Sequence, residues 1–178
     1  RALFAHGYGL KTWDLPSGSL CPPVPGRSDY LHYLADLLAG GDPARIPRGR
    51  SVRVLDIGVG ANCVYPLIGA SEYGWAFVGS DTDPSAVRWA ATLAAANPEV
   101  AGLIECRLQA APVECFAGVI AAGECFDASM CNPPFHASAE EAAAGARRKR
   151  RNLGGSRAGG PELNFGGKAG ELWCDGGE

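Results

Sequence analysis

Residues 52–63 read V-R-V-L-D-I-G-V-G-A-N-C, and residues 65–70, Y-P-L-I-G-A, follow. A β-branched run enters a glycine-rich turn, then an apolar stretch whose proline, Pro66, suits a helix only near its start. Strand, D-x-G-x-G and helix in that order are the opening of a doubly wound unit. Working outward, residues 75–80, W-A-F-V-G-S, read as a second strand. Asp83 and Pro84 are an N-cap followed by a proline at the first helical position. They predict a helix through Val87, Ala91 and Ala94, ending at Asn97-Pro98. Residues 103–108 and 126–131 supply a third and a fourth strand. Strands alternating with helices predict an α/β fold, Rossmann-like, with a mainly parallel sheet and helices on both faces.

Upstream, the Pro/Gly-rich residues 12–27 predict an irregular segment. Ser28 is the expected N-cap of an amphipathic helix with Leu31, Leu34, Leu37 and Leu38 on one face, ended by Gly40-Gly41. A Pro/Gly/Arg linker fills 41–50. The organisation expected is therefore an N-terminal segment and helix (1–50) belonging to the same domain as a cofactor-binding core (51–137), then a basic, Gly-rich segment (138–178).

The chain has 178 residues, 47% hydrophobic and 20% charged, enough for one domain with a core. No apolar run approaches the roughly 20 residues a membrane helix needs, and R-A-L-F-A-H-G at the start does not read as a signal peptide. The 7 cysteines (Cys21, Cys63, Cys106, Cys115, Cys125, Cys131, Cys174) form no C-x-x-C, and there are 3 histidines, which argues against a metal site. Reduced thiols in a cytoplasmic protein are expected. The net charge of −3 weighs mildly against a nucleic-acid partner, but the charge is segregated: Arg147, Arg148, Lys149, Arg150 and Arg151 are consecutive cations.

Gly58 and Gly60 let the backbone turn tightly and approach a ligand with no Cβ in the way. A dinucleotide fingerprint would have a third glycine where this chain has Cys63, and Asp56 stands two residues before Gly58. That pattern suits S-adenosylmethionine (SAM), which carries no phosphate and whose amino group needs an acceptor. Asp81, at the end of the second strand, is placed to accept both ribose hydroxyls. Asp83 competes for that role, but Pro84 assigns it more naturally to the helix cap. An oxidoreductase using a nicotinamide cofactor is disfavoured by Cys63 and by the lack of a hydride-site His or Tyr near the strand ends.

Residues 126–136 read F-D-A-S-M-C-N-P-P-F-H: a buried strand stops at Asn132-Pro133-Pro134-Phe135. An exocyclic amine conjugated with a ring is a poor nucleophile. Acceptors at the Asn132 side-chain oxygen and the Pro133 carbonyl would draw its nitrogen toward tetrahedral geometry and aim it, Pro134 holding the turn rigid. Phe135 would stack on the base, a contact worth roughly 1–3 kcal/mol. The blander reading is a turn after an edge strand.

W-D-L-P-S-G-S-L-C-P-P-V-P-G-R-S-D-Y, L-D-I-G-V-G-A-N-C-V-Y-P-L-I-G, C-N-P-P-F-H-A-S-A-E-E, R-K-R-R-N-L and L-N-F-G-G-K-A-G-E-L-W-C-D-G-G-E together carry a family signature. The chain closely resembles the ribosomal RNA large-subunit methyltransferase F family, adenine-N6 methylases of 23S rRNA with a eukaryotic relative acting on U6 small nuclear RNA. The resemblance spans the whole chain and implies a class I SAM-dependent methyltransferase. It implies that Arg27 pairs with the SAM carboxylate alongside Gly58 and Asn62, that Gln109 to Ala111 lie beside the SAM adenine, and that the target amine meets Asn132 to Phe135. The implied partner is 23S rRNA or a large-subunit assembly particle, with no DNA and no membrane. This fold normally has seven strands, whereas four are found here, so the chain is expected to be truncated after strand four. A catalytically silent fragment that binds SAM or RNA is the alternative.

Ser138-x-x-Glu141 is a capping-box pattern ahead of the five cations. A dipole-matched helix end would account for part of that charge. So many like charges just after N-P-P-F fit a passing phosphate backbone better, and RNA contact is the expectation.

Overall fold

The structure, a computed structural model, describes residues 1–134 together with 136, 138, 140, 141 and 144. Phe135 and the run Arg147, Arg148, Lys149, Arg150 and Arg151 lie outside the described residues. One compact unit comprises Arg1–Asp14 and Pro22–Cys131; a second contains Leu15–Cys21 and Asn132.

In the first unit, helix α1 (Ala2–Tyr8) buries Phe4 and ends on Gly9 in the left-handed conformation. Helix α2 spans Val24–Leu38. Its start corrects the expectation at Ser28, which lies inside the helix, buried, its Oγ 2.6 Å from the Tyr8 hydroxyl and 3.1 Å from His32 Nε2. The prolines set the earlier start: Pro25 stands in the first turn, where a missing N–H costs nothing. Arg27 therefore lies in a helical first turn and not in a loop. Leu31 and Ala35 face the core, Leu34 and Leu38 flank it, and Leu37 is 74% exposed, so it leaves the predicted apolar face. The linker holds one 3-10 turn at Pro43–Arg45, with Asp42 Oδ1 accepting from the Ala44 N–H at 3.0 Å.

Then come strand β1 (Arg53–Ile57), helix α3 (Val64–Tyr73), strand β2 (Ala76–Asp81), helix α4 (Pro84–Ala95), the short α5 (Pro98–Ala101), and strands β3 (Ile104–Leu108) and β4 (Ala128–Cys131). Asp83 caps α4 as expected, accepting from the Ser85 N–H at 2.7 Å. All pairs are parallel, in the order β3-β2-β1-β4. The chain moves outward from β1 to β3 and then returns to the other side of β1, so the topological switch lies between β1 and β4. In open α/β sheets ligands bind at the carboxyl ends of strands at such a point.

Strand alternation divides the sheet into two faces. Val54, Phe77 and Met130 pack with the buried residues of α1 to α4 in the main core. Leu55 and Val78 point the other way. Among the described residues that second face is covered by Val119, Ile120 and Phe126 from the connection after β3, so the described helices gather on one face. Pro112, Gly118 and Gly123 in that connection disfavour a helix. Glu124 fastens it, accepting from Arg107 Nη1 at 2.6 Å and Arg53 Nη2 at 2.9 Å.

In the second unit the Glu141 N–H donates to Ser138 Oγ at 3.2 Å, the amide bond of a capping box. Asn132, Pro133 and Pro134 are half-buried.

Candidate functional site

The turn after β1 is shaped by its glycines. Gly58 (φ 79°) and Gly60 (φ 61°) take left-handed conformations that other residues rarely adopt. The N–H groups of Gly58 and Val59 both donate to the Ser80 carbonyl, at 2.8 and 2.9 Å, folding the turn down on the end of β2. A third glycine permits this: a Cβ on Gly79 would lie 2.8 Å from Val59 Cγ2.

Asp81 closes the loop. Its Oδ2 accepts from the Gly60 N–H at 2.9 Å and its Oδ1 from the Asp83 N–H at 2.9 Å, joining the glycine turn to the start of α4. Each carboxylate oxygen has a second lone pair, so acceptors for a diol remain. Asn62 opens α3: its Oδ1 accepts from the Val64 N–H at 3.0 Å, and its carbonyl accepts from the Trp13 indole N–H at 2.9 Å. Cys63 follows at φ 50° and ψ 30°, the one non-glycine residue with positive φ among those described. That conformation costs about 1–2 kcal/mol for a residue with a Cβ. Cys63 is fully buried, and its hydrogen bond with Cys106, then its burial, push its thiol pKa upward, so it holds its proton.

Asp56 is the unusual member. It is 1% exposed, on the sheet face that carries the main core, and among the described residues neither carboxylate oxygen has a hydrogen-bond partner. Burial first, then Asp81, raise its pKa from 3.8 to about 7, while Arg27 opposes the rise. A buried polar group with no partner costs about 1–3 kcal/mol, and more when charged. The position lacks a hydrogen-bond donor among the described residues. Arg27 Nη1 donates to the Tyr65 hydroxyl at 2.7 Å, and its guanidinium carbon lies 5.6 Å from the Tyr65 ring centroid.

Gln109 follows β3 and is buried. Its N–H donates to the Asp81 carbonyl at 2.8 Å, its Nε2 to the Ala117 carbonyl at 2.9 Å, and its Oε1 accepts from the Ala111 N–H at 2.9 Å. The observed partners of its side chain are thus backbone groups that shape the turn after β3.

The fold gathers Asp56, Gly58, Gly60, Asn62 and Asp81 at the carboxyl ends of β1 and β2, with Arg27 near enough to act on Asp56. Gln109 joins them through Asp81. Asn132, Pro133 and Pro134 follow directly on β4 but belong to the second unit. Sequence reasoning did not find Tyr65, Gly79 or Trp13. The Trp13–Asn62 bond spans 49 residues, and no local pattern announces it.

A parallel sheet of order β3-β2-β1-β4 with a D-x-G-x-G turn, a buried acid without a partner among the described residues and a nearby arginine defines a nucleoside-cofactor domain of the methyltransferase type. Known proteins agree. The family model described as RNA methyltransferase matches residues 1–178, and the chain belongs to that family. Ribosomal RNA large subunit methyltransferase F of Ectopseudomonas mendocina (strain ymp) is 58% identical over 180 residues, covering 100% of this chain and 54% of that protein. Its counterpart from Serratia proteamaculans (strain 568) is 52% identical over 179 residues, covering 100% and 53%. Among solved structures, the human Mettl16 catalytic domain in complex with MAT2A 3'UTR hairpin 1 aligns with a TM-score of 0.74 at 29% identity, covering 98% of this chain and 54% of that one. The N-terminal domain of human METTL16 in complex with SAH aligns with a TM-score of 0.64 at 30% identity, covering 85% and 58%. The chain spans about half the length of the curated relatives it matches.

Proposed function

We propose that this chain is the cofactor-binding part of a SAM-dependent methyltransferase that modifies N6 of a specific adenine in 23S rRNA. The observation that carries the reading is the Asp56 carboxylate near the end of β1, just ahead of the glycine turn, which has no hydrogen-bond partner among the described residues and feels the charges of Asp81 and Arg27. Those residues fit SAM: Asp56 accepts from its ammonium, Arg27 pairs with its carboxylate, and Asp81 takes the ribose hydroxyls. Gly58 and Gly60 admit the ligand close to the backbone, Asn62 holds the end of the turn, and Gln109 to Ala111 edge its adenine. When bound, SAM supplies an activated methyl group. The relatives named for large-subunit rRNA, and neighbours carrying SAH or an RNA hairpin, support the same reading.

On the substrate side, the Asn132 side-chain oxygen and the Pro133 carbonyl each accept one N–H of the target amine, freeing its lone pair from conjugation with the ring. Pro134 stiffens the turn and Phe135 stacks on the base. No strong general base is needed, because the amine can lose its proton after transfer. Arg147, Arg148, Lys149, Arg150 and Arg151 contact phosphates, and the substrate is 23S rRNA or an assembly particle in the cytoplasm, not DNA. Among the described residues no helix is long and apolar enough to cross a membrane.

A second reading, binding of SAM or RNA without turnover, is favoured by the position of β4 at the edge of the described sheet. Calorimetry with SAM and with NAD, followed by methyl transfer to 23S rRNA, separates the cases. SAM binding with transfer supports the first reading, SAM binding alone the second, and NAD binding in place of SAM refutes both.

A further inference from the structure

We propose that Trp13 is the positioning residue of the cofactor turn, held by a clamp that ties residues 10–14 to the far end of α4. The clamp is built on Asn97, which is fully buried. Its Oδ1 accepts from the Thr12 N–H at 3.0 Å, and its Nδ2 donates to the Thr12 carbonyl and to the Leu93 carbonyl, each at 2.8 Å. Two further contacts flank it: Trp89 Nε1 donates to the Asp14 carbonyl at 3.0 Å, and Lys11 pairs with Glu99 at 3.0 Å. Leu10 is buried, and the Trp13 ring packs 4.7 Å from the ring of Phe4.

All of this leaves one donor, the Trp13 indole N–H, aimed at the Asn62 carbonyl at 2.9 Å. That carbonyl belongs to the Asn62–Cys63 peptide, whose orientation sets the left-handed backbone of Cys63. The same residue closes the turn from the other side: the Asn62 side chain approaches Gly60, whose Cβ position would lie 3.2 Å from Asn62 Nδ2. Gly60 in turn donates to Asp81. The path from the clamp to the ribose-binding carboxylate is thus Asn97, Thr12–Trp13, Asn62–Cys63, Gly60, Asp81. A hydrogen bond that holds an unfavourable peptide orientation does more for the geometry of the turn than for the stability of the fold. The indole touches none of the atoms assigned to the ligand, so Trp13 acts through Asn62.

The inference rests on reading this turn as the cofactor's, and its test separates the two. Trp13→Phe keeps a ring against Phe4 and removes only the donor. Amide exchange of Gly60 is read by NMR in the wild-type chain and the variant, and S-adenosylhomocysteine (SAH) affinity by calorimetry. We expect Gly60 exchange to rise about five- to tenfold, the loss of one neutral hydrogen bond, with strand amides such as Leu55 and Val78 unchanged. SAH affinity falls by a similar factor. Should Trp13→Phe not fold, Trp89→Phe loosens the same segment and is read in the same way. Unchanged Gly60 exchange overturns the proposal, whatever SAH does. If the wild-type chain binds no SAH, the cofactor reading fails, and Gly60 exchange still decides the role of Trp13.

Discussion

Replacing Asp56 by Asn should make the protein more stable above neutral pH while depriving it of its ligand. The carboxyl, ordinarily at 3.8, is pushed up to about 7 in the fold, by burial and then by Asp81. Between those values the folded chain keeps a proton that the unfolded chain has released, so the unfolded state binds fewer protons and stability falls as pH rises. The loss begins near the unfolded value and is complete just above the folded one. Across that interval it amounts to about 4 kcal/mol at about 1.4 kcal/mol per pH unit, an upper figure for a single buried group. The Asn side chain is neutral in both states, and it replaces a neutral acid equally short of partners. The variant should therefore exceed wild type by about 1.5 kcal/mol near pH 5 and by about 4 kcal/mol near pH 8. Urea unfolding followed by circular dichroism across this range measures the gap, and calorimetry with SAM at pH 8 should show binding weakened by tenfold or more, as expected when a charge-assisted bond is removed. A gap of the same size at both pH values would refute the reasoning, since only the ionisation of Asp56 makes it grow.

Three further outcomes follow from the site. Gly79→Ala places a Cβ 2.8 Å from Val59 Cγ2; overpacking of this kind costs about 1–3 kcal/mol, and SAM affinity should fall together with the thermal midpoint, whereas an unchanged affinity would show that the turn does not depend on β2. Asn132→Ala should abolish methyl transfer to 23S rRNA and leave SAM affinity within a few fold; normal turnover would remove Asn132 from the chemistry. Replacing Arg147, Arg148 and Arg150 together by Ala should flatten the dependence of log K for RNA on log salt, by about 0.7–0.9 for each phosphate no longer neutralised, and a slope equal to that of wild type would assign the cations to solvent.

The four strands were legible because burial leaves a mark on composition. Each apolar run read as a strand contains one, and its edges shift where hydrophobicity reports the core and not the ladder: Trp75 is fully buried yet precedes β2, its indole N–H donating to the Pro47 carbonyl at 2.8 Å. Ser28 misled for the opposite reason. A serine before an apolar stripe resembles a cap, but its partners, Tyr8 and His32, make it an interior polar contact, and Tyr8 is distant in sequence. Asp56 shows a deeper limit. Its place beside Gly58 was visible in the sequence; its lack of partners was not, because absence is known only once every neighbour is placed. Arg27, whose charge acts on Asp56, gives a nitrogen to Tyr65, and the donors of the following turn are committed as well: the Gly60 N–H to Asp81, the Val64 N–H to Asn62, the Trp13 indole to the Asn62 carbonyl. Had Arg27 turned a donor to Asp56 instead, the acid would be satisfied from within. In the function proposed above, this carboxylate, unpaired among the described residues, accepts the donor that arrives with the ligand.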